Sequence, residues 1–173
     1  MDDQNHSQYS RVPELEDLIN LCRDLNNEKV KYMLIGGFAV ILHGFVRGTK
    51  DIDLLVESSK ENIHKLKKAM SKLPDKAVLQ VNDGDVIKYQ VVRVADEIVV
   101  DLMSKAGGID YKTAVKEVEH KIIESVKIPV ASKQILIKMK ETFRNSDKMD
   151  VDYLKYRIAA DQKKVIVNQK KNI

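Results

Sequence analysis

The stretch that decides the fold is Tyr32-Met-Leu-Ile-Gly-Gly-Phe-Ala-Val-Ile-Leu-His-Gly-Phe-Val-Arg-Gly-Thr-Lys-Asp-Ile-Asp-Leu-Leu-Val56. Lys31 to Ile35 is a short β-rich run ended by Gly36-Gly37, and Phe38 to His43 reads as a short buried helix closed by Gly44. Thr49 to Val56 reads as a second strand. Successive side chains of a strand alternate faces, so Asp51, Asp53 and Leu55 share one face while Ile52, Leu54 and Val56 share the other. Two acids thereby lie side by side, with α-carbons roughly 6–7 Å apart, in a strand whose opposite face is wholly apolar. A later strand repeats the anomaly: in Ile98-Val-Val-Asp-Leu-Met103, Asp101 interrupts an apolar run. If the two strands are neighbours, three carboxylates converge at one edge of a sheet.

Three ionised carboxylates about 5 Å apart repel by roughly 3 kcal/mol per pair at an effective dielectric near 20, or about 10 kcal/mol together. That exceeds half the stability of an ordinary domain. Either some stay protonated or a divalent cation holds them, and all-oxygen ligation is what Mg²⁺ prefers. The plainer alternative has Asp51 capping a strand end and Asp53 and Asp101 as unrelated surface acids. Gly36-Gly37 weighs against it. A strand that ends in two glycines and opens a helix lets backbone N–H groups approach a phosphate, although a glycine pair by itself also serves a tight turn.

Working outward, Leu15, Leu18, Ile19, Cys22 and Leu25 recur at helical steps within an amphipathic helix from Val12 to about Asn27, with Cys22 a buried small hydrophobe. Ser58 or Ser59 caps a helix to about Leu73, stopped by Pro74. Asn82 to Asp85 is a turn with strand signals on both sides, and Val86–Val94 and Glu97–Met103 form a hairpin-like pair joined at Ala95-Asp96. Asp110–Val118 is a short helix and Lys121–Val126 a strand. Ile128-Pro-Val-Ala-Ser132 leads into a helix reaching about Phe143, with Ser132 its N-cap. Asp147 to about Gln162 is the last helix, and Lys163–Ile173 reads as a frayed tail. The fold class is α/β: a mixed sheet flanked by helices with a helical C-terminal segment. The expected parts are an N-terminal helix in 1–30 packed on the core, a core over 31–130 and C-terminal helices over 131–173, together one compact domain.

The 173 residues are 43% hydrophobic and 32% charged, enough for a core without disulfide or structural metal, and one cysteine excludes a disulfide framework. No apolar run approaches the ~18 residues of a membrane span, and the polar N-terminus lacks a signal peptide's apolar core, so a cytoplasmic protein with no membrane partner is expected. Net charge is +4, concentrated in residues 111–173 with fifteen basic and eight acidic side chains. That third suits a phosphate-rich partner, whereas three Phe, six Tyr and no Trp supply no evident platform for stacking bases.

Strand, Gly36-Gly37, short helix, Asp51-Ile-Asp53 in the next strand and Asp101 in a later one together resemble the nucleotidyltransferases of the DNA polymerase β superfamily. Arg47-Gly-Thr-Lys-Asp-Ile-Asp-Leu-Leu-Val56 is similar to the Arg-x-Thr-x-Asp-Ile-Asp-Leu-Leu-Val of small bacterial and archaeal members, which include minimal and abortive-infection toxin-like transferases. Ile128-Pro-Val-Ala-Ser132 through Lys140, then Arg144, Asp147, Asp150 and Leu154, resembles their C-terminal signature, so the likeness spans about residues 30–155. It departs at Gly37, where many active members carry Ser, and at Ser146, where Lys is usual. The resemblance implies in-line attack of an acceptor on the α-phosphate of a nucleoside triphosphate, releasing pyrophosphate, with two Mg²⁺ (or Mn²⁺) ions bridging the reacting oxygens. It implies that Asp51 and Asp53 ligate both metals, that Asp101 completes the site nearest the acceptor and takes its proton, and that Gly36 and Gly37 bind the β- and γ-phosphates.

Arg47, on the loop before the acids, is either a phosphate contact or a solvated loop arginine. Lys140 is placed toward the nucleotide by family position, with a snorkelling surface lysine as the alternative. Arg144, Asp147 and Asp150 fall at three-residue steps and suggest a structural ion-pair network. His43 reads as structural, and His64 and His120 as surface residues. Three function classes follow: a Mg²⁺-dependent nucleotidyltransferase with an RNA, protein or small-molecule acceptor, a catalytically silent nucleotide- or partner-binding module, and a plain nucleic-acid binder. A homodimer or an antitoxin partner fits the first two.

Overall fold

A computed structural model describes residues 9–141 and 144–171, with side chains to residue 168. Helix α1 (Leu15–Asn27) leads into strand β1 (Tyr32–Ile35), α2 (Gly36–Leu42), β2 (Ile52–Val56) and α3 (Lys60–Met70). A short α4 (Asp85–Tyr89) precedes β3 (Val91–Ala95) and β4 (Val99–Met103). A two-stranded ribbon, β5 (Lys105–Ala106) and β6 (Ile109–Asp110), and a turn of helix, α5 (Tyr111–Ala114), then lead to β7 (Val118–Ile123), β8 (Val126–Ala131), α6 (Lys133–Met139) and α7 (Asn145–Lys171). Six strands form one mixed sheet in the order β3-β4-β2-β1-β8-β7. β2 lies antiparallel to β1 and parallel to β4, while β3/β4 and β7/β8 are antiparallel hairpins.

The central strands β1 and β2 are buried almost throughout, as near-continuous apolar runs require. α1 buries Leu18, Ile19, Leu21, Cys22 and Leu25 against α3 and β8. Burial pushes the Cys22 thiol up to about 12, so it packs as a hydrophobe. Asn62, buried on α3, ties that helix to the start of β1: its Oδ1 accepts from the Lys31 N–H at 2.8 Å and its Nδ2 donates to the Lys31 carbonyl at 2.9 Å. On the sheet's other contacts, α2 rests on β1 and β2 and meets α6, which packs on α7.

Several elements differ from the sequence-based expectation. The strand drawn from Thr49 begins at Ile52: β1 pairs Ile35 with Asp53 and then turns into helix at Gly36, so beyond Asp53 only β4 is left as a partner, and pairing to it stops at Ile52. Val86–Val94 is not one strand: Asp85–Tyr89 is helical, started by Asp85 Oδ2 accepting from the Asn82 backbone at 2.8 Å and ended by Gln90 at φ +61°. Of that segment only Val86 reaches the core. Ile128-Pro-Val-Ala ends β8 and leads, as expected, straight into the helix capped by Ser132, whereas the strand expected over Lys121–Val126 is broken by Glu124 and Ser125, both left-handed, which make the turn from β7 to β8. The helix capped by Ser132, whose Oγ accepts from the Ile135 N–H at 3.2 Å, ends at Met139; Phe143 lies outside the described residues. The last helix runs to Lys171 and absorbs most of the expected tail, since no Gly or Pro interrupts it. Among the described residues no helix is long and apolar enough to cross a membrane.

Candidate active site

Register places the acids. In the sheet Asp53 is paired with Ile35 on one side and with Asp101 on the other, so the two carboxylates stand opposite each other on adjacent parallel strands. Asp51 falls one residue before β2, at the end of the loop from α2, rather than inside the strand. The expected convergence is present: Asp51, Asp53 and Asp101 line one cleft of about 980 Å³, together with Gly36, Gly37, Arg47 and Lys140. All seven residues singled out from the sequence meet there.

The two glycines are required for different reasons. Gly36 has φ +66°, and a Cβ on it would overlap the Asp53 carboxylate. β1 can thus pass into α2 with no intervening residue, directly beside the acid. Gly37 has ordinary backbone angles, but a Cβ there would overlap the Thr49 side chain. Thr49 Oγ1 donates to the Asp51 carbonyl at 3.2 Å and itself lines the cleft. A serine at this position would have no room, because the Thr49 side chain already reaches in from the next loop.

Burial, with the charges of Asp51 and Asp101 added to it, pushes the half-buried Asp53 carboxyl up to about 7. Lys140 and a hydrogen bond from the Gly37 N–H pull the other way. The neighbouring acids are compensated by a residue that the sequence reading missed, Arg93. It is paired in register with Asp101 across the β3/β4 hairpin. Its Nε donates to Asp101 Oδ1 at 2.9 Å, and Nη2 donates to Asp101 Oδ2 at 2.8 Å and to Asp51 Oδ2 at 3.0 Å. The signal for it was available: one arginine in Val91-Val-Arg-Val-Ala95, on the hairpin arm opposite the strand that carries Asp101.

The opposite wall is a buried ion network. Lys140 Nζ lies 2.8 Å from Asp150 Oδ2 and 3.2 Å from Asp147 Oδ1, and Arg144 Nε lies 2.7 Å from Asp147 Oδ2. Arg47 Nη2 reaches the same Asp150 Oδ2 at 2.9 Å, while its Nη1 donates to the Gly48 carbonyl at 2.7 Å. The structural network expected of Arg144, Asp147 and Asp150 is there, and it has captured both basic site candidates. Lys140 is buried, not snorkelling, and Arg47 is not a solvated loop residue. His43 is buried with Nε2 2.9 Å from the Ala131 carbonyl, whereas His64 and His120 are exposed.

The donor set at the acidic end fits a hard divalent cation: three carboxylates, one of them half-buried beside two like charges. Among the described residues no three of His, Cys, Asp and Glu are already arranged as a metal cage. At this end of the cleft the Arg93 guanidinium is bonded to two of the three acids.

Acids from β2 and β4 beside a strand-to-helix glycine junction define a nucleotidyltransferase fold. The chain belongs to a family of that class: residues 13–172 match the profile of DUF6036, nucleotidyltransferases of unknown function. Solved structures agree on the fold. A protein of Thermotoga maritima, TM1012, described as a nucleotidyltransferase, is 20% identical with a TM-score of 0.51 over 96% of this chain and 98% of its own. The lincosamide antibiotic adenylyltransferase LnuA, solved with lincomycin bound, is 17% identical with a TM-score of 0.52 over 84% of this chain and 98% of its own. An antigenic nucleotidyltransferase-like protein of Paracoccidioides brasiliensis is 16% identical with a TM-score of 0.55 over 87% and 78%. No curated protein matches the chain in sequence.

Proposed function

We propose that the chain transfers a nucleoside monophosphate from a nucleoside triphosphate to an acceptor, with release of pyrophosphate, in a reaction that depends on Mg²⁺. The observation that carries this reading is the register pair Asp53–Asp101, set at the floor of the cleft beside Gly36 and Gly37. Asp51, Asp53 and Asp101 would hold the metal, with Mn²⁺ as an alternative ion. Bound there, it would supply the positive charge that holds the attacking and leaving oxygens in line. Gly36 and Gly37 line the cleft where the triphosphate would lie, and Asp101 would take the acceptor's proton. Arg47 and Lys140, already held by Asp150, present charge to the phosphates from a fixed position. LnuA is an adenylyltransferase on the same fold, which supports ATP as the first donor to try and a small molecule among the acceptors. RNA and protein acceptors remain part of the reading, as does a toxin partnered by an antitoxin.

The test is calorimetric titration of ATP and the other triphosphates with and without Mg²⁺, on the wild type and on Asp53→Asn. Binding that needs both the metal and Asp53 is the expected result. Equal affinity of Asp53→Asn in Mg²⁺ would overturn the metal assignment. Binding with no pyrophosphate release for any acceptor class would favour a silent nucleotide-binding module.

A further inference from the structure

We propose that Arg93 is the resident counter-cation of the acidic site: a divalent cation reaches Asp51 and Asp101 only by displacing it, and the polyphosphate that arrives with the metal takes the guanidinium over. The inference rests on the metal-site reading above and assigns a role to a residue that the reading leaves unused.

Arg93 sits on the edge strand of the sheet, and its side chain is 60% exposed, so it is free to swing once its partners are taken. Asp101, in contrast, is buried and held by the register of β4 against β2. A ligand metal at this place needs an oxygen from Asp51 and one from Asp101, and all three hydrogen bonds that Arg93 makes here go to those two residues. Guanidinium and metal therefore compete for the same lone pairs. A planar guanidinium is also the side chain best matched to phosphate oxygens, which it binds bidentately as it binds Asp101 here. The exchange leaves Arg93, Asp51 and Asp101 partnered at each stage: the acids with arginine in the free protein, then the acids with metal and the arginine with phosphate in the loaded one. The site would thus hold metal weakly by itself and firmly with nucleotide.

The signs of the two bindings separate this role from a structural one. The full chain, stripped of metal with EDTA, would be titrated with Mn²⁺ alone and with ATP in saturating Mn²⁺, for the wild type, Arg93→Lys and Arg93→Gln. Mn²⁺ alone is expected to bind both variants about tenfold tighter, a gain of ~1.4 kcal/mol. ATP in Mn²⁺ is expected to bind Arg93→Gln about tenfold weaker. Arg93→Lys keeps the charge, so a tighter Mn²⁺ site in that variant isolates the lost bidentate contact from long-range electrostatics. Thermal unfolding in EDTA checks folding, with Mn²⁺ expected to raise the variants' Tm more than the wild type's. Variants that bind Mn²⁺ no tighter than the wild type, or that bind ATP equally well, would overturn the role of Arg93 while leaving an Asp53-dependent site standing. If neither wild type nor variants bind Mn²⁺ or ATP, the metal-site reading falls and this inference with it.

Discussion

The two walls of the cleft are built from the same kinds of side chain and reach opposite states. At the β2/β4 wall, Asp51 and Asp101 share Arg93 and Asp53 stands beside them, which leaves negative charge in surplus. At the α6/α7 wall, Asp147 and Asp150 are shared among Arg47, Lys140 and Arg144, which leaves positive charge in surplus. The first wall is short of positive charge and the second is short of negative charge. Asp150 is fully buried; among the described residues its Oδ1 has no hydrogen-bond partner, while its Oδ2 holds both Arg47 and Lys140. A metal–triphosphate complex carries the charges that the two walls lack.

That contrast can be broken experimentally. The largest effect belongs to Asp150→Ala, which leaves Lys140 and Arg47 without their common acid. Losing one partner of a buried ion pair costs about 3–5 kcal/mol, so thermal unfolding should show a Tm lower by on the order of 10 °C. The same measurement on Asp53→Asn should move the other way. In EDTA at pH 8 the variant is expected to unfold several degrees above the wild type, because a carboxylate crowded by two others is gone. This difference has a definite pH dependence. Asp53 holds its proton up to about pH 7 in the folded chain, far above an ordinary carboxylate. Its contribution to stability is therefore full below about pH 4 and is lost as pH rises toward 7 and beyond. The advantage of Asp53→Asn should shrink as pH falls and vanish only below about pH 4, and a gap that persists there would place its cause elsewhere. The smallest effect tests the junction between the walls. Gly37→Ser forces its Cβ into Thr49, which costs about 1–3 kcal/mol, and Thr49→Gly in the same chain should restore the few degrees of Tm lost.

The central architecture was legible in the sequence because its signals are local. A strand that stops at two glycines, acids at alternate positions of an otherwise apolar strand and a single acid in a later strand are patterns of a few residues each. They were enough to bring Gly36, Gly37, Asp51, Asp53 and Asp101 to one cleft. What escaped depends on pairing between distant segments. Arg93 matters because β3 folds back on β4 in one particular register, and a slip of one residue would turn it to the other face. Lys140 read as equally suited to nucleotide or solvent, since nothing local says that α7 places two acids against it. Val86–Val94 misled because β-prone side chains do not reveal that all but one of the first few stay out of the core. The helical end of α7 was mistaken for a tail because its polar residues lack an apolar stripe, although nothing in them stops a helix.

The bond from Arg47 to Asp150 joins residues 103 positions apart. During synthesis the loop that carries Arg47 is made early, while its counterion arrives only with the start of α7. Until then Lys140 also lacks its acids, and the cleft has one finished wall. The central strands have all their partners by the time β8 is made, so the sheet can assemble on a nascent chain that has as yet no working site. The cleft of this protein is therefore finished only when the last helix docks, although the sheet that forms its floor can fold earlier.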